Sequence, residues 1–228
     1  MKYIIIGLGN FGSTLGMQLT AMGHDVIGVD NSMEKVDAFK YDITHTICLD
    51  STDQQALTTL PLKETDVVVV GIGEHFGASV MTTALFKQLN VKRIIGRAIS
   101  PLHQKVLEAI GVDQIVRPEQ ESAERLAKKL ELKGVIDSFD LSENYNIIEA
   151  MIPDRFVGKS IASSNIRNEY NVNVLTILRA NEAKKIWSSN LPSRSVIGVV
   201  SADTVMQEGD ILVLFGLIKD IERLLHNE

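Results

Sequence analysis

The stretch Tyr3-Ile4-Ile5-Ile6-Gly7-Leu8-Gly9-Asn10-Phe11-Gly12 decides the fold. Tyr3–Leu8 reads as a strand, and the glycines that follow it open a helix expected over Phe11–Met22. In that setting Gly7 allows a tight turn and Gly9 lets a pyrophosphate approach the backbone. Gly12 allows close contact between helix and strand, and the helix N-terminus offers free N–H groups to phosphates. The spacing alone is a weak signal, since a glycine-rich turn also closes βα units that bind nothing. Asp30 strengthens it: it ends the next strand, Asp25–Asp30, where an acid accepts hydrogen bonds from ribose hydroxyls. A carboxylate there repels a 2′-phosphate, and the adjoining Asn31-Ser32 brings no arginine to offset it. The reading therefore favours NAD(H), ATP, ADP or AMP over NADP.

Outward from this motif, short β-branched runs alternate with helical patterns. Strands are expected at Thr44–Leu49, Asp66–Ile72, Arg93–Ala98 and Gln114–Val116. Helices are expected at Met33–Tyr41, Asp53–Thr59, Gly77–Leu89 and Pro101–Ile110. Strands that are nearly all apolar belong to a parallel sheet covered on both faces, so the class is α/β, a Rossmann-like doubly wound sheet. Glu119–Leu132 carries Ala123, Leu126, Ala127 and Leu130 on one side, a helix that packs along one face and stops at Lys133-Gly134. Beyond it the texture changes. Strands at Asn146–Ile152, Val172–Leu178 and Ile211–Phe215 and a helix at Lys219–Leu225 lie among turn-rich stretches at Arg179–Lys185 and Ser188–Ser195. The expected division is a nucleotide-binding lobe over 1–134 and a small α+β lobe over 135–228.

Other loops at the same sheet edge supply further candidates. Asp50, before Ser51 and Thr52, either reaches an adenine amino group or N-caps the next helix. Gly71-Ile72-Gly73 forms a second turn near the ligand, and Arg97 either meets a phosphate or is a solvated surface residue.

Composition narrows the function. The net charge of −6 argues against sequence-independent nucleic-acid binding, which needs a basic face. Cys48 is the single cysteine, so no intrachain disulfide forms and a reducing, cytoplasmic setting is expected. No apolar run approaches the roughly 20 residues that span a bilayer, so a membrane role must come through a partner. The carboxylates after Gly134, such as Glu143 and Glu182, form no dyad with a histidine or lysine. His24, His45, His75 and His103 lack ligand spacing and read as surface or boundary residues, and Trp187 reads as packing. An NAD-dependent oxidoreductase would need an acid or base that this pattern does not supply. It stands as the alternative to a nucleotide-binding protein that is no enzyme.

The chain resembles the RCK (regulator of potassium conductance) family of the Trk/Ktr potassium-uptake systems. The resemblance rests on Ile6 to Gly12, Met22 to Asp30, Leu49-Asp50-Ser51-Thr52, Lys105 to Asp113 and Val116-Arg117-Pro118-Glu119. It extends through Glu149 to Leu178 and Glu208 to Gly216. The resemblance implies a cytoplasmic regulatory subunit that forms homodimers assembled into an octameric ring beneath a membrane potassium-translocating subunit. In it Glu119–Leu132 is a crossover helix between partners, and Glu119 matches a position that holds a divalent cation, Mg²⁺ or Ca²⁺, at the dimer interface. The same Glu119, after Pro118, is also a favourable first helical turn. Many nucleotide-responsive members carry arginine where this chain has Asn10, reaching a γ-phosphate on the neighbouring subunit. Asn10 donates a hydrogen bond without charge, which leaves ATP sensing to Arg97 and keeps NAD(H) open as a ligand.

Overall fold

A computed structural model describes residues 1–131, 134–142, 144–180 and 194–226. The chain divides into two compact units, Met1–Glu121 and Ser122–Glu228.

The first unit alternates strand and helix from β1 (Lys2–Ile6), α1 (Asn10–Ala21) and β2 (Asp25–Asp30) through α2 (Met33–Phe39), β3 (His45–Cys48) and α3 (Gln54–Leu57). It continues with β4 (Val67–Val70), α4 (Phe76–Gln88), β5 (Ile94–Arg97), α5 (Pro101–Ile110) and β6 (Gln114–Val116). Helix α6 (Pro118–Glu131) begins here and crosses the division. The six strands are parallel in the order β3-β2-β1-β4-β5-β6. Strand geometry sends successive side chains to opposite faces, and the apolar runs fill both. Ile4, Ile6, Val68 and Val70 pack with Phe86 and Ile94 on one side. Ile5, Val67 and Val69 pack with Leu8, Val36 and Ile43 on the other. The expected doubly wound sheet is thus present, and its order reverses between β1 and β4. At such a switch point the loops leaving the two strands diverge and open a crevice at their carboxyl ends.

The second unit is an antiparallel sheet of β7 (Val135–Asp140), β8 (Tyr145–Met151), β9 (Asn173–Ala180), β10 (Arg194–Val196) and β11 (Ile211–Leu217), in the order β10-β9-β11-β8-β7. Short helices α7 (Ile161–Ser164) and α8 (Ile166–Tyr170) and the terminal α9 (Ile218–His226) accompany it. Ile148, Ala150, Ile177, Leu212 and Leu214 form its core with Phe156, Tyr170, Ile221 and Leu224. Asp210 is buried and accepts from Arg179 Nε at 2.8 Å and Nη2 at 2.7 Å, and from the Gln207 amide at 2.8 Å. Burial pushes its carboxyl up, but these donors outweigh it and hold it below the usual carboxylate range.

Strands β7 and β10 and helices α7 and α8 depart from the sequence expectation. Only Val135 of β7 is buried and all of β10 is exposed, so neither edge strand carries a clean alternation. Leu126 and Leu130 of α6 are exposed in the single chain. Gly134, at a φ of +83°, has the left-handed backbone expected where a helix stops. Leu132, Lys133, Glu143, Glu182 and Trp187, with 181–193 of the turn-rich stretches, lie outside the described residues. No helix of the described residues is long and apolar enough to cross a membrane.

Candidate nucleotide site

A cleft of about 340 Å³ opens at the switch point. Its floor is the β1–α1 loop with Gly7, Gly9, Asn10 and Phe11. One wall comes from the ends of β2 and β3, with Asp30, Asn31, Asp50 and Ser51. The other comes from Gly71, Ile72 and Gly73 after β4, with Arg97 and Glu119 beyond. Every residue expected at the site lies here except Gly12, which is one turn into α1.

The glycines divide into two kinds. Gly7 has φ +93°, and its amide donates to the Val29 carbonyl at 2.7 Å, so the turn itself requires it. A Cβ on Gly12 would stand 1.9 Å from the Gly7 carbonyl oxygen, so α1 can leave β1 this closely only with glycine there. Gly9 differs: its φ of −69° suits any residue, and a Cβ would meet nothing within 4 Å. Neither a positive φ nor a close contact requires glycine at this N-cap position, which lines the cleft.

Asp30 is 7% exposed. One carboxylate oxygen accepts the Leu8 amide at 2.7 Å and the other the Ser32 amide at 2.9 Å, so β2 pins the glycine loop. Each oxygen keeps a lone pair for a ribose hydroxyl. Lys35, on the first turns of α2, lines the cleft and places Nζ 3.9 Å from Asp30. Sequence reading missed this cation because it looked only at Asn31 and Ser32. The helical offset from Asp30 was the available signal.

Asp50 does not cap the next helix. Asp53 does, accepting the Gln55 amide at 2.8 Å. Asp50 instead accepts the Thr52 hydroxyl at 2.7 Å and its amide at 2.9 Å, and that hydroxyl and amide lower its pKa. The Ser51 hydroxyl is turned inward, 2.9 Å from that of Thr82 on α4, so it anchors the loop.

Arg97 is not a solvated surface residue. Its side chain is 15% exposed, donates to the Gly71 carbonyl at 3.1 Å, and lies over the Phe11 ring at 5.6 Å. It also pairs with the Glu119 carboxylate at the start of α6. Its buried Nε has no partner among the described residues. Among those residues no group of three or more His, Cys, Asp or Glu side chains gathers as metal ligands.

His103 corrects a second expectation, for it is fully buried rather than at a boundary. It lies on the apolar stripe of α5 with Val106, Leu107 and Ile110, and that spacing was legible in the sequence. Its Nδ1 accepts the Ile99 amide at 3.3 Å and its ring lies 4.9 Å from that of Phe76. Its Nε2 has no partner among the described residues, and burial lowers its pKa. His75, expected at a loop or helix start, precedes α4 and lines the cleft.

Residues 3–118 match the TrkA-N domain family model. The chain belongs to the TrkA-N domain family. The resemblance carried by the glycine loop and by Val116-Arg117-Pro118-Glu119 is thereby borne out for this first unit. Similarity extends past the TrkA-N domain: the chain is 33% identical to Ktr system potassium uptake protein C of Bacillus subtilis, over 97% of its own length and 95% of the relative. It is 34% identical to Ktr system potassium uptake protein A of the same organism, over 97% and 94%. The crystal structure of the GsuK RCK domain superposes with a TM-score of 0.67 at 18% identity, covering 99% of this chain and 48% of that one. The GsuK channel bound to NAD gives 0.65 at 18% identity, over 100% and 39%. At that identity the likeness is one of fold, and this chain spans about half or less of those chains.

Proposed function

We propose that this chain is a cytoplasmic, nucleotide-binding regulatory subunit that gates a membrane potassium-translocating protein of the Trk/Ktr type. The observation that carries the nucleotide reading is Gly9, which caps α1 and lines the cleft with no side chain although no close contact or positive φ requires glycine there. The pyrophosphate would lie over Gly7 and Gly9 at the N-terminus of α1, with the ribose on Asp30 and the base toward Asp50. Arg97 would face the phosphates. NAD(H) and ATP or ADP are the ligands this arrangement suits, and GsuK, which shares the fold, is named as binding NAD.

The chain acts by binding rather than by turnover. Asp30 is held by two amides, Asp50 by Thr52 and Glu119 by Arg97, so these three carboxylates of the cleft already serve structure. Residues 1–134 form the nucleotide lobe with its crossover helix and 135–228 the second lobe. Homodimers joined through α6 would assemble into an octameric ring, which gives the exposed Leu126 and Leu130 a partner. A divalent cation, Mg²⁺ or Ca²⁺, would be held by Glu119 at the dimer interface once that carboxylate leaves Arg97. Gating requires the ligand to favour one ring conformation over the other. A ligand of equal affinity for both shifts nothing, and a full switch takes about 10⁴-fold discrimination.

The test is potassium flux through a Ktr-type membrane subunit in liposomes, with and without this chain, under each nucleotide. Flux that depends on both chain and nucleotide supports the reading. Flux indifferent to the chain contradicts it.

A further inference from the structure

A second cavity of about 330 Å³ lies behind the first, bordered by Arg97 to Pro101, Arg117 and Gln120. The two cavities share Arg97 and Glu119, so that ion pair is the wall between them. We propose that this second cavity is an anion subsite that takes a phosphate group, held between Arg97 and Arg117.

The charges favour it. Two arginines line the space against the one carboxylate of Glu119. Arg117 makes no ion pair among the described residues, and Arg97 lines both cavities. Guanidinium forks match phosphate oxygens in pairs, which a lysine cannot do. The ten-residue α5 starts at the same cavity and adds the positive end of its dipole. Ser100 accepts the His103 amide at 3.1 Å, which leaves its own O–H to donate.

A phosphate in this cavity competes with Glu119 for Arg97. Its arrival exchanges one anion for another and frees the first turn of α6. The inference rests on the nucleotide reading above and deepens it: Arg117 supplies the charge that Asn10 lacks, and it reads the end of the phosphate chain. The same chemistry suits either the terminal phosphate of a nucleotide seated in the cleft or a free phosphate.

Calorimetric titration of the full chain with ATP, ADP, NAD⁺ and inorganic phosphate, in wild type, Arg117→Gln and Arg117→Lys, tests the proposal. Unliganded melting temperatures show that each variant folds. If the nucleotide's own phosphate is the occupant, Arg117→Gln weakens ATP about tenfold or more and leaves ADP and NAD⁺ within about twofold. Arg117→Lys then falls between, because it keeps charge but loses the fork. If a free phosphate is the occupant, inorganic phosphate binds ADP-loaded wild type and not the Gln variant, while ATP and ADP are unaffected. Equal binding of all four ligands to wild type and Arg117→Gln overturns the subsite. Phosphate binding that needs Arg117, with no nucleotide binding at all, upholds the subsite and sinks the nucleotide reading.

Discussion

The Asp30 carboxylate accepts the Leu8 amide at 2.7 Å, tying the end of β2 to the middle of the glycine loop. The acid expected to meet the ribose also holds the phosphate-binding turn in shape. Removing it leaves the buried Leu8 amide and the part-buried Ser32 amide without this acceptor. Asp30→Ala should therefore lower stability of the unliganded protein by about 1–3 kcal/mol as well as weaken nucleotides. Chemical denaturation without ligand checks this. An unchanged midpoint would mean the loop keeps its shape unaided.

Lys35 sits 3.9 Å from Asp30 and partly offsets the repulsion that Asp30 exerts on a 2′-phosphate. The pair is open to solvent on the lysine side, so the offset is worth at most about 1 kcal/mol. NADH should bind more tightly than NADPH, and Lys35→Ala should widen the gap by about three- to fivefold. Paired dissociation constants decide it, and a gap that narrows would place Lys35 elsewhere in recognition.

His103 makes the first unit sensitive to acid. Its folded pKa is lowered by burial, whereas the unfolded chain titrates near 6.5. The unfolded state thus binds the extra proton first. Stability is full above about pH 6.5 and falls as pH drops below it, toward the lower folded value. Protonation also turns Nδ1 from acceptor to donor and breaks its bond with the Ile99 amide. His103→Asn keeps an acceptor and removes the titration, so its melting temperature should change less than wild type between about pH 6.5 and 5. Parallel slopes in the two proteins would remove His103 as the cause.

The legible parts of the chain are those where local pattern and final environment agree. Val67 to Val70 is apolar throughout because both sheet faces are covered, and β4 is buried along its length. The site was legible as loops because a doubly wound sheet brings its strand ends to one edge. The paired cleft residues Arg97 and Glu119 are 22 positions apart, and no spacing rule joins them. The inward turn of Ser51 depends on Thr82, also distant in sequence. Strand β7 hid because it is an edge with a single buried side chain, and α7 and α8 are too short for helical periodicity to register.

Two glycines separate fold from function. Gly12→Ala drives a Cβ into the Gly7 carbonyl and should damage the fold by several kcal/mol, seen as a collapse in melting temperature. Gly9→Ala meets nothing and should leave the unliganded melting temperature within a degree or two.

The most direct test of the central claim is thus thermal stabilisation of wild type and Gly9→Ala by NADH, ADP and ATP. A ligand at about 100 times its dissociation constant stabilises the folded state by about 2.7 kcal/mol. The account predicts a clear upward shift for wild type with at least one of these nucleotides and its loss in Gly9→Ala, at equal unliganded stability. No shift in wild type, or an equal shift in both proteins, would contradict it.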